Sequence, residues 1–101
     1  MVVTIDEAKK QCRIDACYHG DDEHLYRLMD TSVEHVAHLM GYKDMAEAFP
    51  DGNIPECVRH AVLMFVVHYY ENAGVAAAVK LESVEQGALA LIQFYVKYNK
   101  T

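Results

Sequence analysis

The sequence predicts a small all-α fold of four helices: a short one at the amino terminus, two long antiparallel ones, and one at the carboxyl terminus. Three observations carry this expectation. Apolar residues recur at steps of three and four through residues 22–40. Thr4-Ile5-Asp6-Glu7 and Ser83-Val84-Glu85-Gln86 both have the capping-box form that opens a helix. Pro55 heads a long apolar segment, where its fixed φ is already helical and its missing amide hydrogen has no partner to lose.

Taken in order, the first helix runs from Ile5 to Cys12, with the Thr4 hydroxyl accepting from the Glu7 amide and the Glu7 carboxylate reaching back to the Thr4 amide. Arg13 to Gly20 has no helical stripe. Asp21 and Asp22 then supply the acidic residues that suit a helix amino terminus. The second helix extends from Asp22 to Met40, its stripe formed by Leu25, Leu28, Met29, Val33, Val36, Ala37 and Met40, and Gly41 ends it. Phe49-Pro50-Asp51-Gly52-Asn53 is a turn, because proline fixes one φ and glycine frees another; one helical turn fits near Met45–Ala48. The third helix runs from Pro55 to Asn72. Its middle, Ala61 to Val67, is apolar on every side, which predicts a central element surrounded by neighbours or other subunits. Residues 75–81 suit a helix, a strand or an extended connector equally and are read as a connector. The fourth helix follows from Val84 to Tyr98.

A chain of 101 residues fits one domain, so residues 1–101 are read as a single unit. Its apolar share, 52%, is that of a folding protein. Fifteen acidic against nine basic residues give a formal charge of −6, and the cations are scattered, which disfavours tight binding to nucleic acid. No basic leader precedes an apolar stretch at the start, and no apolar run approaches the roughly 20 residues that cross a bilayer. Three cysteines without an export signal read as reduced thiols in a cytosol.

Cys12, Cys17, His19 and His24 form the sharpest chemical constellation, four zinc-ligand types within a short stretch. Their spacing lacks the close ligand pairs of a zinc knuckle, so buried or free thiols are preferred and no metal or other cofactor is expected. His35 and His38 lie one turn apart but lack the glutamate and third ligand of a zincin, and they read as surface histidines. His60 and His68 share a side of the third helix, with His68 read as an interior or interface residue. Asp21-Asp22-Glu23 reads as a solvated helix cap, since calcium-loop spacing is missing. No nucleophile on a strained turn and no glycine-rich phosphate loop occurs, so an enzyme is not expected. Tyr69, Tyr70, Tyr95 and Tyr98 cluster near the ends of the last two helices, where an apolar ring with a polar tip suits a subunit interface.

Thr4-Ile5-Asp6-Glu7-Ala8-Lys9 leading to Cys12-Arg13-Ile14-Asp15, then Asp21-Asp22 before a helix ending in Gly41, resembles the opening of phage head-tail connector proteins. The resemblance continues in Ile54-Pro55-Glu56-Cys57-Val58-Arg59-His60-Ala61-Val62-Leu63 and in His68-Tyr69-Tyr70-Glu71-Asn72, with a shorter echo in Ser83-Val84-Glu85 before Ala88-Leu89. Two departures stand out. Lys80-Leu81-Glu82-Ser83 and Val96-Lys97-Tyr98-Asn99 replace a Pro-Phe-Gly and a Pro-Tyr-Arg that are frequent in the family.

The resemblance implies a homo-oligomeric ring of about a dozen subunits, closed by a heterologous contact between two different faces. Its implied partners are the portal protein above and a tail or head-closure protein below, with DNA passing through unbound and no membrane involved. Assembly in the host cytoplasm and then residence at the head-tail junction of the virion, of phage or prophage origin, follow from the same resemblance. The second and third helices are expected to present the contact faces. The loop from Lys43 to Asn53, with Lys43, Asp44, Glu47 and Asp51, is expected to face the channel or an adjoining ring. Two rivals share the helical pattern: a small regulatory or protein-binding module, which would need a basic recognition helix or a partner groove, and a metal-binding domain on Cys12, Cys17, His19 and His24.

Overall fold

The computed structural model describes residues 2–71 and 75–96, with side chains in the second stretch from residue 82 onward. Five helices follow one another among the described residues: α1 (Ile5–Gln11), α2 (Asp22–Leu39), α3 (Met45–Ala48), α4 (Glu56–Glu71) and α5 (Val75–Ile92), with a 3-10 turn at Gln93–Tyr95. No strand occurs among them. The all-α expectation holds, with α3 as the single helical turn expected in the loop.

The first capping box is formed in both directions: the Glu7 amide donates to Thr4 Oγ1 at 3.1 Å and the Thr4 amide donates to Glu7 Oε1 at 2.9 Å. At the other end of α1, Arg13 adopts a left-handed φ of 61°. This lets the Arg13 amide reach the Lys10 carbonyl and the Ile14 amide reach the Lys9 carbonyl, the paired bonds of a Schellman ending. α2 closes the same way with Gly41 at φ 90°, its amide on the His38 carbonyl and the Tyr42 amide on the Ala37 carbonyl. The turn at Pro50-Asp51-Gly52 forms as read: the Gly52 amide donates to the Phe49 carbonyl at 2.9 Å, with Gly52 at φ 79°.

α4 is the central element. α1, α2 and α5 all pack on it, and Val58, Ala61, Val62, Leu63, Phe65 and Val66 are buried along its length. Its apolar girth is thus covered largely by its own chain, so it does not by itself demand another subunit. Leu25, Met29, Val36, Ala37 and Met40 of α2, Val3 and Ala8 near the start, and Ala88 and Ile92 of α5 complete the core. α2 buries a further position, Ser32, whose hydroxyl has no hydrogen-bond partner among the described residues.

The carboxyl-terminal part differs from the sequence reading. Residues 75–81 are not a connector but the first turns of α5, and Ser83, read as a helix cap, lies inside the helix. Ala76, Ala77 and Ala78 explain this, since alanine loses the least on entering a helix and a helix once nucleated propagates cheaply. The α-helix ends at Ile92 and passes into the 3-10 turn instead of running to Tyr98, which lies outside the described residues, as does Asn72.

Candidate functional site and assembly surfaces

The loop after α2 is held in a fixed shape. Asp44 caps α3 by accepting from the Glu47 amide at 2.8 Å, and Glu47 Oε1 accepts from the Lys43 amide at 2.7 Å. The Lys43 carbonyl lies 3.1 Å from His38 Nε2, and Asp51 Oδ1 accepts from the Asn53 amide at 3.0 Å. Lys43, Asp44, Glu47 and Asp51 are all exposed. The loop therefore carries three carboxylates and one ammonium outward on a rigid base.

The tyrosines are engaged within the chain. Tyr69 Oη lies 2.8 Å from His35 Nδ1, Tyr70 Oη donates to Asp21 Oδ2 at 3.0 Å, and Tyr95 meets the Phe49 ring edge-on at 5.9 Å between centroids. All three are half-buried. Burial, followed by the nearby Glu85 charge, pushes the Tyr69 hydroxyl above its ordinary value, and the bond to Asp21 does the same for Tyr70.

His35, read as a surface histidine, is instead a junction of three helices. Its ring stacks on Phe65 with centroids 4.4 Å apart, its Nδ1 meets Tyr69 of α4, and its Nε2 lies 2.8 Å from Glu85 Oε2 of α5. The missed signal is a line on α2 that leaves the apolar stripe at Leu28 and runs through Ser32, His35 and Leu39 at steps of four, three and four. His38 is exposed as read; His60 is exposed, while His68 is buried with its ring edge on Tyr69.

Around the amino-terminal cysteines the structure builds a different device from a metal site. Lys9 is buried, and its Nζ donates to the Tyr18 carbonyl at 2.7 Å and the Ala16 carbonyl at 3.4 Å. The same ammonium lies 2.8 Å from Asp22 Oδ1, while His19 Nδ1 lies 2.9 Å from Asp22 Oδ2. Hydrogen bonds from Lys9 and His19 hold the Asp22 carboxyl below its ordinary range. Asp21 and Asp22 are thus structural ties to α4 and α1, and only Glu23, paired with Arg27, is a solvated cap. Cys12 is buried, which pushes its thiol up to about 11, whereas Cys17 is exposed and His24 leans on Tyr70. Among the described residues no group of three or more His, Cys, Asp or Glu is placed to hold a metal ion, and no described helix is long and apolar enough to cross a membrane.

Arg59 is the second polar node. Its guanidinium grips both carboxylate oxygens of Glu7, donates from Nε to the Val2 carbonyl at 2.8 Å, and meets Glu56 at 2.7 Å. It pins the first residues of the chain along α4.

Two of the open hollows are lined mainly by apolar residues. One hollow of about 410 Å³ lies between the amino-terminal segment and α2, lined by Val2, Val3, Met29, Asp30 and Val33. Another, of about 290 Å³, lies between α4 and α5. Beyond them Phe94 stands 87% exposed just after α5, a residue that the reading of the sequence did not single out. These surfaces are lined mainly by apolar side chains, which suit contact with other proteins.

The family model for phage gp6-like head-tail connector proteins matches residues 2–93. No curated protein and no solved structure matches the chain. A match that runs from the amino-terminal segment pinned by Arg59 to the turn after α5 covers nearly the whole sequence, and the chain belongs to the phage gp6-like head-tail connector family.

Proposed function

We propose that this protein is a subunit of an oligomeric ring that joins the portal to the tail, or to a head-closure protein, and forms part of the DNA conduit of a long-tailed phage particle. Membership of the connector family over residues 2–93 is the observation that carries the reading. It makes the protein a structural component of phage assembly, with no reaction assigned to it. Assembly would begin in the host cytoplasm and end at the head-tail junction of the virion.

Charge and surface support the finer reading. At a formal charge of −6 the chain offers phosphates few cations with which to release counterions, so DNA would slide past without being held. The rigid loop that bears Lys43, Asp44, Glu47 and Asp51 would face the channel or the adjoining ring. Tyr69, Tyr70 and Tyr95, each fixed by a partner in its own subunit, would offer pre-positioned ring edges to a neighbour.

The test is the mass in solution by light scattering over a concentration series, followed by electron microscopy alone and with portal protein added. Closed rings in either setting are expected. A chain that stays monomeric and does not bind the portal would overturn the reading, and crosslinks placing Asp44 or Asp51 on the outer rim would overturn the channel assignment of the loop.

A further inference from the structure

Phe94 is the most exposed large apolar side chain among the described residues. It follows a face of α5 that is open and uncharged: Gln86, Leu89, Ala90, Gln93 and Val96 line a shallow hollow of about 410 Å³. From Gln86 to Val96 the sequence has no charged residue, and the charged residues after it are the cations Lys97 and Lys100. An aromatic ring held in water at the edge of a neutral surface is what a partner would cover.

The same chain carries a surface of matching character. The hollow formed by Val2, Val3, Met29 and Val33 is apolar, with one carboxylate, that of the exposed Asp30, in its lining. At about 100° per residue, Asp30 and Val33 lie roughly 140° to 160° round α2 from His35, the residue that meets α5. The hollow therefore opens on the side of α2 turned away from α5. An aromatic knob followed in the sequence by Lys97, and a distant apolar socket with Asp30 in its lining, match in apolar character and are opposite in charge sign.

We propose that these two surfaces dock on each other between copies of this chain, with Phe94 of one subunit seated in the Val2, Val3, Met29 and Val33 hollow of the next. Because knob and socket are different faces, the contact is heterologous and propagates from subunit to subunit, as ring closure requires. The inference rests on the ring reading and names the faces that would make it.

Disulfide trapping tests it on the full chain. Cys17 and Cys57, the two thiols that are not buried, are changed to Ser, and Asp30→Cys and Gln93→Cys are introduced singly and together; both positions are exposed and Phe94 itself is kept. Oxidation of the double variant is expected to give a ladder of covalent oligomers, while each single variant stays monomeric on a non-reducing gel. Efficient dimerisation of the Gln93→Cys single variant would mean that the patch meets itself, and a link between the two introduced thiols within one chain would mean that it folds back; either overturns the proposal. No ladder from the double variant, where the unaltered chain closes into rings, overturns the docking pair and leaves the ring reading standing. No ladder together with no ring, with or without portal, overturns both.

Discussion

His35 Nε2 lies 2.8 Å from Glu85 Oε2, a bond that ties α2 to α5 beside the central helix. The other ring nitrogen faces the Tyr69 hydroxyl at the same distance. Both ring nitrogens are therefore engaged, Nε2 with the carboxylate and Nδ1 with the tyrosine hydroxyl. His35→Ala removes both bonds and the stack on Phe65, and is expected to cost about 2 kcal/mol of stability, read from urea unfolding. Glu85→Gln, whose side-chain amide can still bond Nε2, is expected to cost less than half as much. Equal losses for the two variants would show that the ring stack and the Tyr69 bond contribute little.

Glu7 makes stability depend on acid in a defined direction. The Thr4 amide, and after it the Arg59 guanidinium, hold the Glu7 carboxyl below its ordinary value near 4.5. A carboxyl depressed in the folded state contributes stability that is complete above the unfolded value and is lost as pH falls through the folded one. Thermal midpoints should therefore fall as pH drops below 4.5. Glu7→Gln keeps the capping geometry but removes the charge, so its midpoint should start lower at neutral pH and fall less steeply. The slope that remains is expected from Asp22, whose carboxyl Lys9 and His19 also hold down.

Arg13 and Gly41 occupy the same place in two helix endings and differ in what that place costs. Both adopt positive φ, 61° and 90°, but only glycine does so without a Cβ clash. Arg13→Gly is expected to stabilise the fold by about 1 kcal/mol, and Gly41→Ala to destabilise it by about 1 kcal/mol, both read from chemical denaturation. An unchanged midpoint for Arg13→Gly would mean that the exposed arginine makes compensating contacts in the folded state.

These residues mark where the sequence could be read and where it could not. Thr4 with Glu7, Gly41 and the Pro50-Asp51-Gly52 turn act through neighbours within a few positions, so their roles were legible as local chemistry. The apolar stripe of α2 was legible for the same reason. His35 was not, because its partners lie 34 and 50 positions away and a histidine beside polar residues looks solvated until α4 and α5 are placed against it. The start of α5 was misread because an Ala-Val segment has no periodicity to decide between conformations, and a capping-box pattern inside a helix looks like one at its start. The exposure of Phe94 was the least legible: helical spacing puts Ile92, fully buried, on the apolar stripe and leaves Phe94 off it, but spacing alone does not say that the ring stands in water.

Lys9 is the residue on which the segment between α1 and α2 depends. Its ammonium is withdrawn from solvent and fastens two carbonyls, those of Ala16 and Tyr18, to the Asp22 carboxylate at the start of α2. The segment from Arg13 to Gly20 has no helix or sheet to satisfy its carbonyls, so this one cation supplies bonds that regular structure would otherwise provide. Lys9→Met keeps most of the apolar stem but leaves the carboxylate and both carbonyls without it. The expected result is local: amide hydrogen exchange should accelerate at least about tenfold at Cys17 to Asp22 and change little in α4, and proteases should cut the segment near Tyr18 first. Uniform acceleration through α4 would show instead that the ammonium supports the whole core, making the amino-terminal segment part of the cooperative unit rather than a tethered appendage.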